Sequence, residues 1–333
     1  MTMMKRAIPV IFDTDPGIDD AMALFLLARH PDIDLRAITT AFGNASLEIT
    51  TRNAQRLAAF YGLDVPIAAG AAGPLRAGAE REAPAHVHGD DGLGGMVSRL
   101  PAATRPLDPR PAHELICDLI NATPGEITLL AVGPMSNLAL ALRHDPGIAA
   151  KVKQVVVMGG AFGMHGHSGN VTPVAEANII NDPEAADIVF TASWPVLIVG
   201  LDVTHEVVMG EDYLADLRGT SAGDFLWEAT RHYQDFYHEL AGIGGIYCHD
   251  ATAAASIVAP GLFRVRGGPV RVVLDGIAVG QTIQDCAKPD GRQTPWSSCP
   301  PQQACIGVDA EGVLALFASL FKNGTDEQGT LTQ

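Results

Sequence analysis

The sequence predicts an α/β fold: a single domain over residues 1–333, with a mostly parallel, doubly wound (Rossmann-like) sheet flanked by helices. Three observations carry this. Short runs rich in Val and Ile on both faces alternate with helical patterns, as parallel strands covered from both sides require. Hydrophobic residues make up 47 % of the chain and charged residues 18 %, enough for a sizeable buried core and too apolar for disorder. The 35 glycines and 22 prolines follow no period, which fits many tight connections rather than a repeat.

The elements follow in order. Residues 8–12 read as the first strand. Residues 18–29 form a helix with Ile18, Met22, Phe25 and Leu26 on one face. Residues 33–40 are a second strand that ends in β-branched Ile38, Thr39 and Thr40. Residues 47–60 are a second helix. Buried strands are expected at 127–132 and 152–158, separated by a helix over 136–143, and another strand at 195–199. Residues 283–305, rich in Pro, Cys and Gln, are expected as a surface loop before a last strand and a C-terminal helix over 310–321. Residues 323–333 are expected as a frayed tail.

Composition excludes some functions. With 38 acidic and 22 basic residues the formal charge is −16, which argues against binding a nucleic-acid polymer through its phosphates. No apolar run is long enough to span a membrane. Lys5 and Arg6 precede only a brief apolar run, so no signal peptide is expected. Five cysteines at irregular spacing suit a reduced, cytoplasmic protein.

The strongest chemical signal is Asp13-Thr14-Asp15-Pro16-Gly17-Ile18-Asp19-Asp20, where a buried strand ends and a helix begins. Ligands of open α/β sheets bind at the carboxyl ends of strands. Four carboxylates there repel one another, and a hard divalent cation with oxygen ligands is the natural offset. Capping by Asp explains one or two acids, not four. Other strand ends bring polar groups to the same rim: Thr40 to Asn44, Val132-Gly133-Pro134, Met158-Gly159-Gly160, the Gly/His loop to Asn170, and Glu176-Ala177-Asn178. His249-Asp250 precedes a helical run over 251–258, with an aromatic segment at 233–237 as a candidate lid. The His86/His88 and His165/His167 pairs lack a third zinc ligand at ordinary spacing. Cys286, Cys299 and Cys305 lack paired CxxC spacing, and no Walker loop or GxGxxG is present.

The blocks DTDPGIDDAMAL, ITTAFGN, AVGPMSNLALAL, VVVMGGAF, GNVTPVAEANIINDPEAA and HDATA resemble, in order over residues 8–260, the inosine–uridine-preferring nucleoside hydrolases. The resemblance implies a Ca²⁺-dependent enzyme that hydrolyses the N-glycosidic bond of ribonucleosides to ribose and free base, in nucleoside salvage. It implies Asp15, Asp20, Asp250 and the Val132 carbonyl as Ca²⁺ ligands, with Asp15 also the general base. It implies Asp19, Asn44, Met158, Asn170, Glu176 and Asn178 around the ribose, His88 in a loop near the site, and His249 as the acid for the leaving base. It also implies a homodimer or homotetramer. Val132 stands where relatives carry Thr, and Ala177 where many carry an aromatic. The chemistry agrees: nearby carboxylates stabilise oxocarbenium character, and vicinal hydroxyls complete a Ca²⁺ shell. Three rivals remain at this point. One is a Mg²⁺ phosphotransferase of the haloacid dehalogenase type, disfavoured by Pro16 after the second Asp. The others are a silent nucleoside-binding protein and a hydrolase of another N-riboside, such as nicotinamide riboside.

Overall fold

The computed structural model describes residues 6–79, 81–103, 105–286 and 293–322. Its order is β1 (Ile8–Thr14), α1 (Ile18–Arg29), β2 (Ile33–Thr40), α2 (Leu47–Tyr61), β3 (Ile67–Ala69), α3 (Ala85–His88), α4 (Ala112–Ala122), β4 (Thr128–Ala131), α5 (Ser136–His144) and β5 (Gln154–Met158). Then come α6 (Ala177–Asn181), α7 (Pro183–Thr191), β6 (Val196–Val199), α8 (Leu201–Thr204), β7 (Val208–Gly210), α9 (Glu211–Asp216), α10 (Ser221–Ala241), β8 (Gly245–Tyr247) and α11 (Asp250–Val258). The chain closes with β9 (Phe263–Val272), β10 (Thr282–Gln284), β11 (Pro301–Val308) and α12 (Ala310–Lys322).

The central sheet has the strand order β10-β9-β11-β6-β5-β4-β1-β2-β3, with β7 and β8 paired apart from it. From β11 to β3 every neighbouring pair is parallel; β9 and β10 join antiparallel at one edge. Alternation along each strand divides the apolar side chains between two cores. Val10, Phe12, Val156, Met158, Leu197 and Val199 face one, and Ile11, Val155, Val157, Val196 and Ile198 face the other. The chain order reverses at β1, which lies between β2 and β4. That switch point opens a crevice at the carboxyl ends of β1 and β4.

Local chemistry sets the helix ends. Ser46 accepts from Ile49 N to start α2, and Gly62 ends it at φ 71. Asp182 accepts from Ala185 N to start α7, with Pro183 in its first turn. Thr220 and Gly242 bracket the 21 residues of α10.

Some expectations are corrected. The surface segment expected over 283–305 begins inside β10 and ends inside β11, so the loop between those strands is shorter; its residues 287–292 lie outside the described residues. The tail expected at 323–333 also lies outside them. Helix α1 is not amphipathic with one buried face: Ile18 to Leu27 are all buried, since α1 is enclosed by the sheet, α10 and α11. No described helix is long and apolar enough to cross a membrane.

Candidate active site

β1 delivers its end residues into the crevice, and a Pro-Gly turn carries the chain into α1. Asp20, in the first turn of α1, accepts from Gly17 N at 2.9 Å and Asp15 N at 3.3 Å. It also accepts from Asn44 Nδ2 at 3.0 Å and from the Thr14 hydroxyl. Its carboxylate therefore caps α1 and is held rigidly. Asp15 accepts from Asn44 N at 2.8 Å through Oδ2, while its buried Oδ1 has no hydrogen-bond partner. Asp19 Oδ1 is likewise buried and partnerless. Backbone crowds around Asp15: a Cβ at Gly43, whose φ is 150, would stand 2.0 Å from Oδ2, and one at Gly133 would stand 2.3 Å from Oδ1. Both positions require glycine.

Asp250 reaches the same point from the start of α11. One oxygen from each of Asp19, Asp20 and Asp250 lies within 4.8 Å of the other two. Every donor in this group is a carboxylate oxygen, a set that suits a hard cation. Burial raises the proton affinity of all of them, and charged neighbours add to it at Asp19 and Asp250. Asp15 and Asp250 are pushed well above the usual carboxylate range, first by burial and then by their charged neighbours. Burial, with Asp20 beside it, pushes Asp19 up to about 8. Buried carboxylates with unspent oxygens are what a cation would neutralise.

Asp13 does not join this group. It points to the other face of β1, where Oδ1 accepts from Thr39 Oγ1 at 2.5 Å and Asn137 Nδ2 at 2.8 Å. Of the four carboxylates that signal the site in sequence, three converge, and the fourth member comes from α11.

A cavity of about 880 Å³ opens in front of the acids. Asp19, Asn44, His88, Val132 and Met158 line it on the sheet side, with Asp250 and His249. Asn170, Glu176, Ala177 and Asn178 line it from the long loop and α6. Asp15 and Asp20 lie behind this lining, each 1 % exposed. Glu176 caps α6, accepting from Asn178 N, Ile179 N and Gly160 N at 3.0, 3.1 and 3.0 Å. Asn178 Nδ2 donates to the Val132 carbonyl at 2.7 Å and the Met158 carbonyl at 3.1 Å. Its amide oxygen is thereby left toward the cavity. Asn170 Oδ1 accepts from Ala177 N at 3.0 Å. His88 Nδ1 accepts from Ile18 N at 3.3 Å. Burial pushes the His88 imidazolium down to about 3, so the ring is neutral and its hydrogen sits on Nε2.

The opposite wall is aromatic. Tyr233 and Tyr237, one turn apart on α10, are buried in it rather than carried on an exposed lid. Tyr237 Oη is 2.8 Å from His249 Nε2 and 3.0 Å from Tyr233 Oη, and His249 Nδ1 is 2.8 Å from Thr204 Oγ1. Tyr233 also stands beside Asp19 and favours its charged form. Burial holds the His249 imidazolium well below its ordinary range. Reading the sequence missed the Thr204–His249–Tyr237–Tyr233 chain. Its only trace there is the i, i+4 spacing of the two tyrosines. The two discounted histidine pairs hold no metal-ligand group among the described residues: His165 bonds the Ile306 carbonyl at 3.0 Å and His167 the Glu206 carboxylate at 2.5 Å.

These shifts give a signed prediction for chelated protein. Between the ordinary carboxylate range and about pH 8 the native acids, Asp19 among them, hold protons that the unfolded chain has lost, so stability falls with rising pH. The buried histidines oppose this, because the unfolded chain binds their protons up to 6.5 and the native state does not. Above 6.5 only the carboxylates remain. The melting temperature after chelation is therefore expected to fall between pH 6.5 and 8, and a hard divalent cation held by these carboxylates is expected to remove the fall. A melting temperature that rises over that window contradicts the assignment.

Comparison with known proteins agrees with this geometry. Residues 10–315 match the family described as inosine-uridine preferring nucleoside hydrolase. The chain is 41 % identical to "Probable uridine nucleosidase 1" of Oryza sativa subsp. japonica, covering 93 % of this chain and 95 % of that protein. It is 41 % identical to "Inosine-uridine preferring nucleoside hydrolase" of Leishmania major, covering 84 % and 88 %. Among solved structures, it is similar to "Plant nucleoside hydrolase - PpNRh1 enzyme" with a TM-score of 0.90, 39 % identity and coverage of 95 % and 99 %.

Proposed function

The chain belongs to the inosine-uridine preferring nucleoside hydrolase family and is a nucleoside N-ribohydrolase; from that premise we propose that its turnover depends on Ca²⁺, with Asp15 as base and His249 as acid. The observation that carries this is the partnerless, buried Oδ1 of Asp15 beside the three-carboxylate group of Asp19, Asp20 and Asp250. Asp15, Asp20, Asp250 and the Val132 carbonyl would hold the cation, since a carbonyl that already accepts from Asn178 keeps a second lone pair. When bound, Ca²⁺ supplies Lewis acidity toward water and takes vicinal hydroxyls as oxygen ligands.

The chain's own residues supply the rest. Asp15 keeps one oxygen fixed on Asn44 N and the other free to take a proton from the attacking water. In the metal-free chain burial raises its proton affinity; beside a bound cation that rise is offset and the carboxylate stays ionised, as a base must be. Asp19, Asn44 and Asn178 offer partners to the ribose hydroxyls, with Asn170, Met158 and Glu176 completing the wall. Glu176 acts chiefly by fixing the turn at Gly160 and the start of α6, and so the place of Asn178. Glycosidic cleavage builds positive charge on the sugar, which the surrounding carboxylates stabilise. The leaving base must gain a proton. His249 is held neutral at rest, so it must first take up a proton from solvent; its Nε2 proton then passes to the Tyr237 hydroxyl as that hydroxyl gives its own hydrogen to the leaving base. His88 Nε2–H is a further donor facing the cavity.

The relatives named above point to uridine and inosine as first substrates. Incubation with Ca²⁺ is expected to release ribose with uracil or hypoxanthine; intact nucleosides after prolonged incubation of folded protein would overturn the reading. His249→Ala and Tyr237→Phe are each expected to slow ordinary nucleosides by about 10²–10⁴-fold and a p-nitrophenyl riboside far less, because its leaving group departs without a proton. Equal losses on both substrates would remove His249 as the acid.

A further inference from the structure

We propose a second metal site in this chain, for a borderline divalent cation such as Zn²⁺ or Ni²⁺, formed by His113, Glu114 and His144 where α4 meets the end of α5. One ligand atom of each lies within 4.8 Å of the other two. The two imidazoles face each other with centroids 5.6 Å apart at 69°. None of the three side chains spends its ligand atoms on a hydrogen bond or ion pair with another described residue. His113 and Glu114 are half-buried and His144 is exposed, so a cation can enter.

The scaffold under these residues is rigid. α4 buries Ala112, Leu115, Ile116 and Ile120, and α5 buries Leu138, Ala139 and Ala141, in one shared core. The backbone positions of the three ligands are thereby set with their donors within 4.8 Å of one another, and side-chain rotation is what would bring them to bonds of about 2.0–2.2 Å. Two imidazoles and a carboxylate suit Zn²⁺, Ni²⁺ or Cu²⁺, whereas the all-oxygen group at the β1 end suits a hard cation. The two sites differ in place as well as in chemistry. α5 starts at Ser136, just past Val132 on the cavity wall, and ends at His144, about 13 Å along its axis. With three protein ligands at a half-exposed position, the remaining coordination places go to water. A bound cation would clip α4 to the last turn of α5 without touching the reaction.

The test is calorimetric titration of the whole chain with Zn²⁺ while saturating Ca²⁺ occupies the acidic group. Wild type is expected to bind one Zn²⁺ per chain. His113→Ala/His144→Ala is expected to lose at least about a hundredfold in affinity, more than a lost supporting partner costs a metal site. His144→Ala alone, at an exposed helix end, is expected to lose less. Both variants keep Ca²⁺-supported ribose release, which shows that they fold. Asp20→Asn is expected to bind Zn²⁺ as wild type does. Absence of Zn²⁺ binding in wild type, undiminished binding in the double variant, or a loss that follows Asp20→Asn instead would overturn the proposal.

Discussion

Asp15→Ala is expected to lower kcat/KM for every ribonucleoside by at least about a thousandfold. On the mechanism proposed above, the substitution removes the base and one oxygen of the cation's shell together. It also leaves Asn44 N, which donates to Asp15 at 2.8 Å, without an acceptor. Asp15→Asn separates these effects. Its amide oxygen can still accept from Asn44 N, yet it is neutral and cannot take a proton. It is expected to be nearly as inactive as the alanine variant. Neither change should unfold the protein after chelation, because each removes a buried carboxylate that repels Asp20 and Asp19. Steady-state rates with melting curves on the same samples check this; activity near wild type in either folded variant would contradict the role of Asp15.

The second large effect is on the sugar. A 2′-deoxyribonucleoside is expected to be poorer than its ribonucleoside by about 10⁴-fold in kcat/KM, as in sites that hydrogen-bond a substrate hydroxyl. The cavity presents many polar groups and little water-like compliance. Asp19 Oδ1 is buried without a partner, Asn178 is pinned between two carbonyls, and Asn44 is tied to Asp20. Groups this rigid cannot turn to satisfy one another when a hydroxyl is missing, so the desolvation cost falls on the complex. Comparing uridine with 2′-deoxyuridine measures it. Rates within about tenfold of each other would mean that the hydroxyl is not read.

Much of this was legible in the residues. The strands 8–12 and 152–158 showed themselves because strands buried on both faces favour runs of Val and Ile, and 33–40 through its β-branched end at Ile38, Thr39 and Thr40. The antiparallel edge was harder. Arg264 and Arg266 on one face of β9 and Arg271 on the other interrupt its apolar pattern, and a Pro-rich stretch hides the start of β11. The three-residue strands β7 and β8 are too short to show a period. In the site, the Asp-rich turn marked the right strand end, but alternation along β1 sends Asp13 to the far face, beside Asn137 of α5. Asp250 joins only because α11 packs on α1, a long-range contact that no local pattern encodes. Family resemblance, not spacing, brought it into the ligand set. The hydrogen-bonded chain from His249 to Tyr233 depends in the same way on α10 lying across the start of α11.

The central claim is that Ca²⁺, held among these aspartates, is required for turnover. It is tested most directly by ribose release from uridine after exhaustive chelation, followed by Ca²⁺ add-back. Activity is expected to vanish on chelation and return in proportion to Ca²⁺ in wild type, with no return in Asp15→Ala. Full activity in chelated, demonstrably metal-free protein would contradict the account.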